Sequence, residues 1–89
     1  MNSRVPVAIE WEGDTGLSER AFTRVVGPYG CLVVLPHELA IGQSLRVVNL
    51  ANDQANAAKV VWKGSHRNEG WELGIELTNP SMDFWGLDL

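Results

Sequence analysis

Between residues 71 and 77 the chain reads Trp-Glu-Leu-Gly-Ile-Glu-Leu, so that Trp71, Leu73, Ile75 and Leu77 alternate without interruption with Glu72, Gly74 and Glu76. Successive side chains of a strand point to opposite faces, and this period of two specifies a strand with one face in a core and one in water. No apolar period near 3.6 runs for long anywhere in the chain, which points to an all-β fold.

The remaining strands follow from similar patterns. Gly27-Pro28-Tyr29-Gly30 is a turn by composition and leads into the apolar run 31–35, which Pro36 closes because it has no amide hydrogen for a ladder. That run has no polar interruption and is expected to be a central strand buried on both faces. Val5, Val7, Ile9 and Trp11 mark strand 5–11, and the turn at 13–16 leads to strand 18–26. Two registers are open for that second strand. In the preferred one Ala21, Thr23 and Val25 face inward and Arg20, Phe22 and Arg24 outward; in the other Phe22 and Val26 face inward.

A connection at 37–43 carries Leu39 and Ile41. It precedes strand 44–50, where a change of apolar parity between Val47 and Val48 suggests a bulge or burial on both faces. After a turn at Asn52 and Asp53, strand 54–63 is expected to place Ala58, Val60 and Trp62 on one face, and 64–70 reads as a polar loop. Beyond Asn79 and Pro80, Ser81 is suited to cap a short C-terminal helical turn with Asp83 near its start, and Phe84 and Trp85 supply an apolar cover. Six short strands at hairpin spacing imply a small antiparallel six-stranded β-barrel, with a sandwich as the alternative.

At 89 residues the chain suits a single domain spanning 1–89. Its formal net charge of −4, with seven scattered Lys and Arg, argues against a nucleic-acid binder, which draws affinity from clustered basic residues. Cys31 has no second cysteine to pair with, which suits a reducing compartment. With no apolar run of spanning length, membrane insertion is not expected, and the expected location is the cytoplasm.

Catalytic and metal chemistry find little support. Cys31, His37 and His66 lack a recognised ligand spacing, and Glu10 with Glu12, or Glu72 with Glu76, read as solvated strand faces rather than acid and base. No enzyme activity, metal or cofactor is therefore expected. Trp11, Trp62 and Trp71 read as inward-facing core residues and Trp85 as part of the cover. Arg20, Phe22 and Arg24 share one strand face and would flank an exposed ring with two cations, which marks them as a candidate surface for an acidic partner or a planar anion.

Taken in order, Tyr-Gly-Cys-Leu-Val-Val-Leu at 29–35, Leu-Ala-Ile-Gly-Gln at 39–43, Ala-Lys-Val-Val-Trp at 58–62 and Glu-Leu-Gly-Ile-Glu-Leu at 72–77 resemble the PilZ domain family over nearly the whole chain. The resemblance implies a small antiparallel barrel from bacterial signalling. Its members bind cyclic di-GMP through an Arg-x-x-x-Arg segment and an Asp/Asn-x-Ser-x-x-Gly turn. Only Arg4 stands in the first region. The second motif falls on residues 25–30, where Gly30 alone is retained and Val25 and Gly27 replace the polar residues. Arg4 and Gly30 are thus the candidate nucleotide-binding residues of a degenerate motif. The resemblance then implies a non-enzymatic regulatory domain whose partner is another protein rather than cyclic di-GMP. An atypical cyclic di-GMP receptor and a structural module of a larger protein are the alternatives.

Overall fold

A computed structural model describes residues 3–12, 17–68, 70–81 and 83–86. Six strands form: β1 Pro6–Trp11, β2 Leu17–Gly27, β3 Gly30–Leu35, β4 Ser44–Asn49, β5 Gln54–Arg67 and β6 Gly70–Leu77. They close into a barrel in the order β1-β2-β3-β6-β5-β4, and β4 pairs back to β1. Every neighbouring pair is antiparallel. Closure leaves no outermost strand in the ring, which is how a sheet this small avoids a long exposed edge.

The inward positions of each strand form one core. Val7 and Ile9 from β1, Val33 and Leu35 from β3, Val47 from β4, Val60 from β5 and Leu73 and Ile75 from β6 meet inside. On β6 the expected alternation holds for Leu73, Ile75 and Leu77, all buried. Trp71 is a correction: it is only half-buried, with its ring beside that of His66 at 4.5 Å between centroids and below the Lys63 ammonium at 5.0 Å.

The doubly buried central strand expected at 31–35 is also corrected. Cys31, Val33 and Leu35 face the core, while Leu32 and Val34 lie half-buried on the outside. A closed barrel has no central strand, and its outer face is covered only by neighbouring side chains. On β4 the ladders to β1 and β5 run without a shift, so no bulge forms; Leu45, Val47 and Asn49 turn inward and Val48 is half-buried opposite Ala8. β5 continues to Arg67, and most of the expected loop at 64–70 is strand. Register shifts in the β5–β6 ladder, one between Val60 and Trp62, turn Trp62 outward with 48% of its surface exposed.

β2 resolves its two registers by using both. Thr23 is fully buried and Ala21 packs against the core, as in the preferred reading, and Phe22 is exposed. A shift between Thr23 and Val25 in the β2–β3 ladder then brings Val26, rather than Val25, fully inside. An extra residue on one strand reverses the parity of everything after it.

The ends are closed by different means. Phe84 and Trp85 are buried after β6, their rings in edge contact at 4.8 Å. Trp85 Nε1 donates to the Gly27 carbonyl at 2.9 Å, and the buried Asn49 amide donates to the Phe84 carbonyl at 2.8 Å. Asn52 reaches the same carbonyl at 3.2 Å. At the opposite end, Leu39 and Trp11 are buried, and His37 meets the Trp11 ring edge-on at 5.1 Å.

The short helical turn expected after Pro80 includes Met82, which lies outside the described residues. Around it are turn bonds, with Asp83 N–H donating to Ser81 Oγ at 3.3 Å and Phe84 N–H to the Ser81 carbonyl at 3.1 Å. No helix occurs among the described residues, and none is long and apolar enough to cross a membrane.

Asn49 generates a specific expectation, because its side chain also accepts from Ala51 N–H at 2.9 Å. Asn49→Ala should cost about 1 to 3 kcal/mol in chemical denaturation, the penalty for a buried group left unpaired. Asn52→Ala, at an exposed position whose acceptor keeps its bond to Asn49, should cost less than about 1 kcal/mol.

Candidate functional site

The site begins with a buried hydroxyl. Thr23 Oγ1 accepts from Val5 N–H at 2.8 Å and donates to the Ser3 carbonyl at 2.5 Å, and Thr23 N–H donates to the Val5 carbonyl at 3.0 Å. A threonine facing a core must find partners for its hydroxyl, and here they come from the segment that leads into β1. Those bonds grip the residues on both sides of Arg4. Its guanidinium is held 4.8 Å from the centroid of the Phe22 ring, in a cation–π contact.

Arg20 and Phe22 stand on the outer face of β2, and Arg24 follows at the register shift. Together with Arg4, Ala21, Thr23, Val34 and Pro36 they line a cleft of about 510 Å³. Phe22 keeps 52% of its surface exposed there. Three of the chain's seven Lys and Arg thus converge on one cleft, and no carboxylate is among its described lining residues. Grouped guanidiniums beside an aromatic face suit a planar or extended anion, since each can offer paired donors and the ring adds stacking area.

A second cleft, of about 620 Å³, lies over β1 and β4 and is lined by Glu10, Glu12, Trp11, Ser18, Gln43, Ser44, Leu45 and Arg46. Though larger, it suits an anion poorly. Its one guanidinium is engaged by Glu10 at 3.1 Å, and Glu12 adds a further negative charge.

The structure therefore brings Arg4 to Arg20, Phe22 and Arg24, which pattern reading assigned to separate groups. Gly30 is elsewhere. It pairs with Gly27 and Glu76 and does not line the cleft, and a β-carbon there would collide with the Ile75 carbonyl oxygen. Its role is close approach of β3 to β6. Thr23 was missed as a positioning residue; a threonine among strand residues carries no signal of its own without knowledge of which amides meet it.

The other candidates separate. Cys31 is buried, and desolvation pushes its thiol from 9.0 up to about 12. His37 lies 3.2 Å from the Glu19 carboxylate, and His66 packs on Trp71. Among the described residues no group of three or more His, Cys, Asp or Glu is arranged to hold a metal. No protein-family model, curated protein or solved structure matches this chain.

Two outcomes are expected. Thr23→Val keeps shape but strands the Val5 amide; it should cost about 1 to 3 kcal/mol and loosen Arg4 from Phe22, seen as a change in the Phe22 ring proton shifts. Cys31 should resist a thiol reagent until the protein unfolds. Because its folded pKa is raised, its contribution to stability is complete below pH 9 and is lost as pH rises toward about 12, since between those values the unfolded thiol ionises and the folded one does not. A Cys31→Ala variant should lack that part of the alkaline decline in denaturation curves.

Proposed function

We propose that this chain is a PilZ-like, non-enzymatic regulatory domain that acts in the bacterial cytoplasm by contacting another protein through Arg4, Arg20, Phe22 and Arg24. The observation that carries this reading is the convergence of three guanidiniums and a half-exposed ring on a cleft without a described carboxylate, in a chain of net charge −4. Aromatic and arginine side chains are the types that dominate protein interfaces. A closed six-stranded antiparallel barrel is compatible with a PilZ domain without being specific to it.

Standard cyclic di-GMP recognition is not expected of such a domain. Val25 and Gly27 stand where the family places an acidic or amide group and a hydroxyl, and each missing charged hydrogen bond forfeits about 1.5 to 3 kcal/mol. A micromolar complex needs about −8.2 kcal/mol in all. One observation favours a second reading, an atypical nucleotide receptor: Arg4 shares the cleft with Arg20 and Arg24.

Two measurements separate the readings. Calorimetric titration with cyclic di-GMP should show no saturable binding below about 10 μM, and saturation there would establish the nucleotide receptor instead. Replacing Arg20 and Arg24 together by glutamate should abolish capture of the protein partner from lysate without lowering the melting temperature. Undiminished capture would remove this face from the function.

A further inference from the structure

The β2–β3 ladder stops before either strand does. Pairing runs from Gly27↔Gly30 to Thr23↔Val33, whereas β2 begins at Leu17 and β3 continues to Leu35. β1 covers one edge of β2 from Leu17 to Phe22, and no described strand pairs with the other edge of that segment. The strands diverge beyond the register shift, and the cleft lies between them, with residues 20–24 on one wall and Val34 and Pro36 on the other. Pro36 has no amide hydrogen with which to continue the ladder.

The direction of the edge groups follows from one bond. Thr23 N–H donates to the Val5 carbonyl, toward β1. Backbone groups of successive residues in a strand point to opposite edges, so both backbone groups of Arg20 and the N–H of Phe22 point away from β1 and into the cleft. A cleft with strand-edge amides on one wall and guanidiniums at its rim is matched by an extended backbone whose side chains on one face carry negative charge.

We infer that the cleft edge of β2 at Arg20 and Phe22 receives an extended acidic segment of a partner protein as an added strand. The backbone of the segment pairs with Arg20 and Phe22, and its outward carboxylates meet Arg4, Arg20 and Arg24. This rests on the protein-contact reading above. Charge selects the occupant: a second copy of β2 would set Arg20 and Arg24 against like charges, which disfavours self-pairing along this edge.

The test uses the full chain and a capped, fluorescently labelled peptide of alternating glutamate and valine. The peptide should bind, while a lysine–valine peptide should not. Binding should slow hydrogen exchange at the Arg20 and Phe22 amides, and Arg20→Glu should weaken it about tenfold, the effect of losing one charge-assisted contact. Methylating alternate backbone nitrogens of the peptide, which removes its ladder donors, should weaken it comparably. Equal binding of the methylated peptide, unchanged exchange at Arg20 and Phe22, or no binding at all would overturn strand addition. If partner capture still depended on Arg20 and Arg24 in those cases, the protein-contact reading would survive alone. Indifference of both peptide binding and partner capture to Arg20→Glu would remove both.

Discussion

The register shift between Thr23 and Val25 is the constraint from which the rest of this structure follows. Before the shift Ala21 and Thr23 face the core while Arg20 and Phe22 face out; beyond it Val26 is the residue inside. The same strand can thus pair in register with β1 on one side and with β3 on the other while keeping apolar groups inward from both halves. A barrel of so few strands must coil strongly to close, and a local bend of this kind supplies part of that coiling. Pairing of β2 with β3 ends at Thr23↔Val33, just past the shift, and the arginine-lined cleft lies beside that end.

Burying Thr23 has a consequence at the surface. Its hydroxyl takes the Val5 amide and Ser3 carbonyl as partners, and the lead-in to β1 is thereby tied across β2 with Arg4 over Phe22. Packing inside the barrel and geometry outside it are linked through one side chain. Asn49 plays the corresponding part at the end of the barrel, where its amide holds the Phe84 carbonyl and brings two large rings onto the core. Both are polar groups in an apolar interior, and each has its donor and acceptor atoms hydrogen-bonded. Among the described residues no buried side-chain polar atom lacks a partner.

Charge is unevenly spread over the outer face. Arg46 is matched by Glu10 across the β1–β4 ladder, and Lys63 by Glu38 at the mouth of β5. Such exposed pairs add little to stability, but they neutralise the positive charge locally. At the β2–β3 cleft the lining carries only positive charge among the described residues, and it accompanies the edge of a strand rather than the middle of a sheet. That combination distinguishes this surface from the larger cleft over β1 and β4, whose lining mixes one arginine with Glu10 and Glu12.

Sequence alone determined the all-β character, the number of strands and their succession along the chain, and the inward positions of Leu73, Ile75 and Leu77 on β6, because alternation with a period of two is a local property that one strand carries by itself. It also marked Phe84 and Trp85 as cover, whereas for Arg20, Phe22 and Arg24 it left two registers open. Only the tertiary structure decided between barrel and sandwich, since that depends on whether β4 returns to β1. It also set the parity after each bulge, which turned Trp62 out and Val26 in, because an inserted residue is recognised by its cross-strand partner and not by its neighbours in the chain. Arg4 and Phe22 are far apart in sequence and separate in pattern. They meet because Thr23 and Val5 exchange hydrogen bonds across a ladder, an interaction that exists only once β1 and β2 are paired.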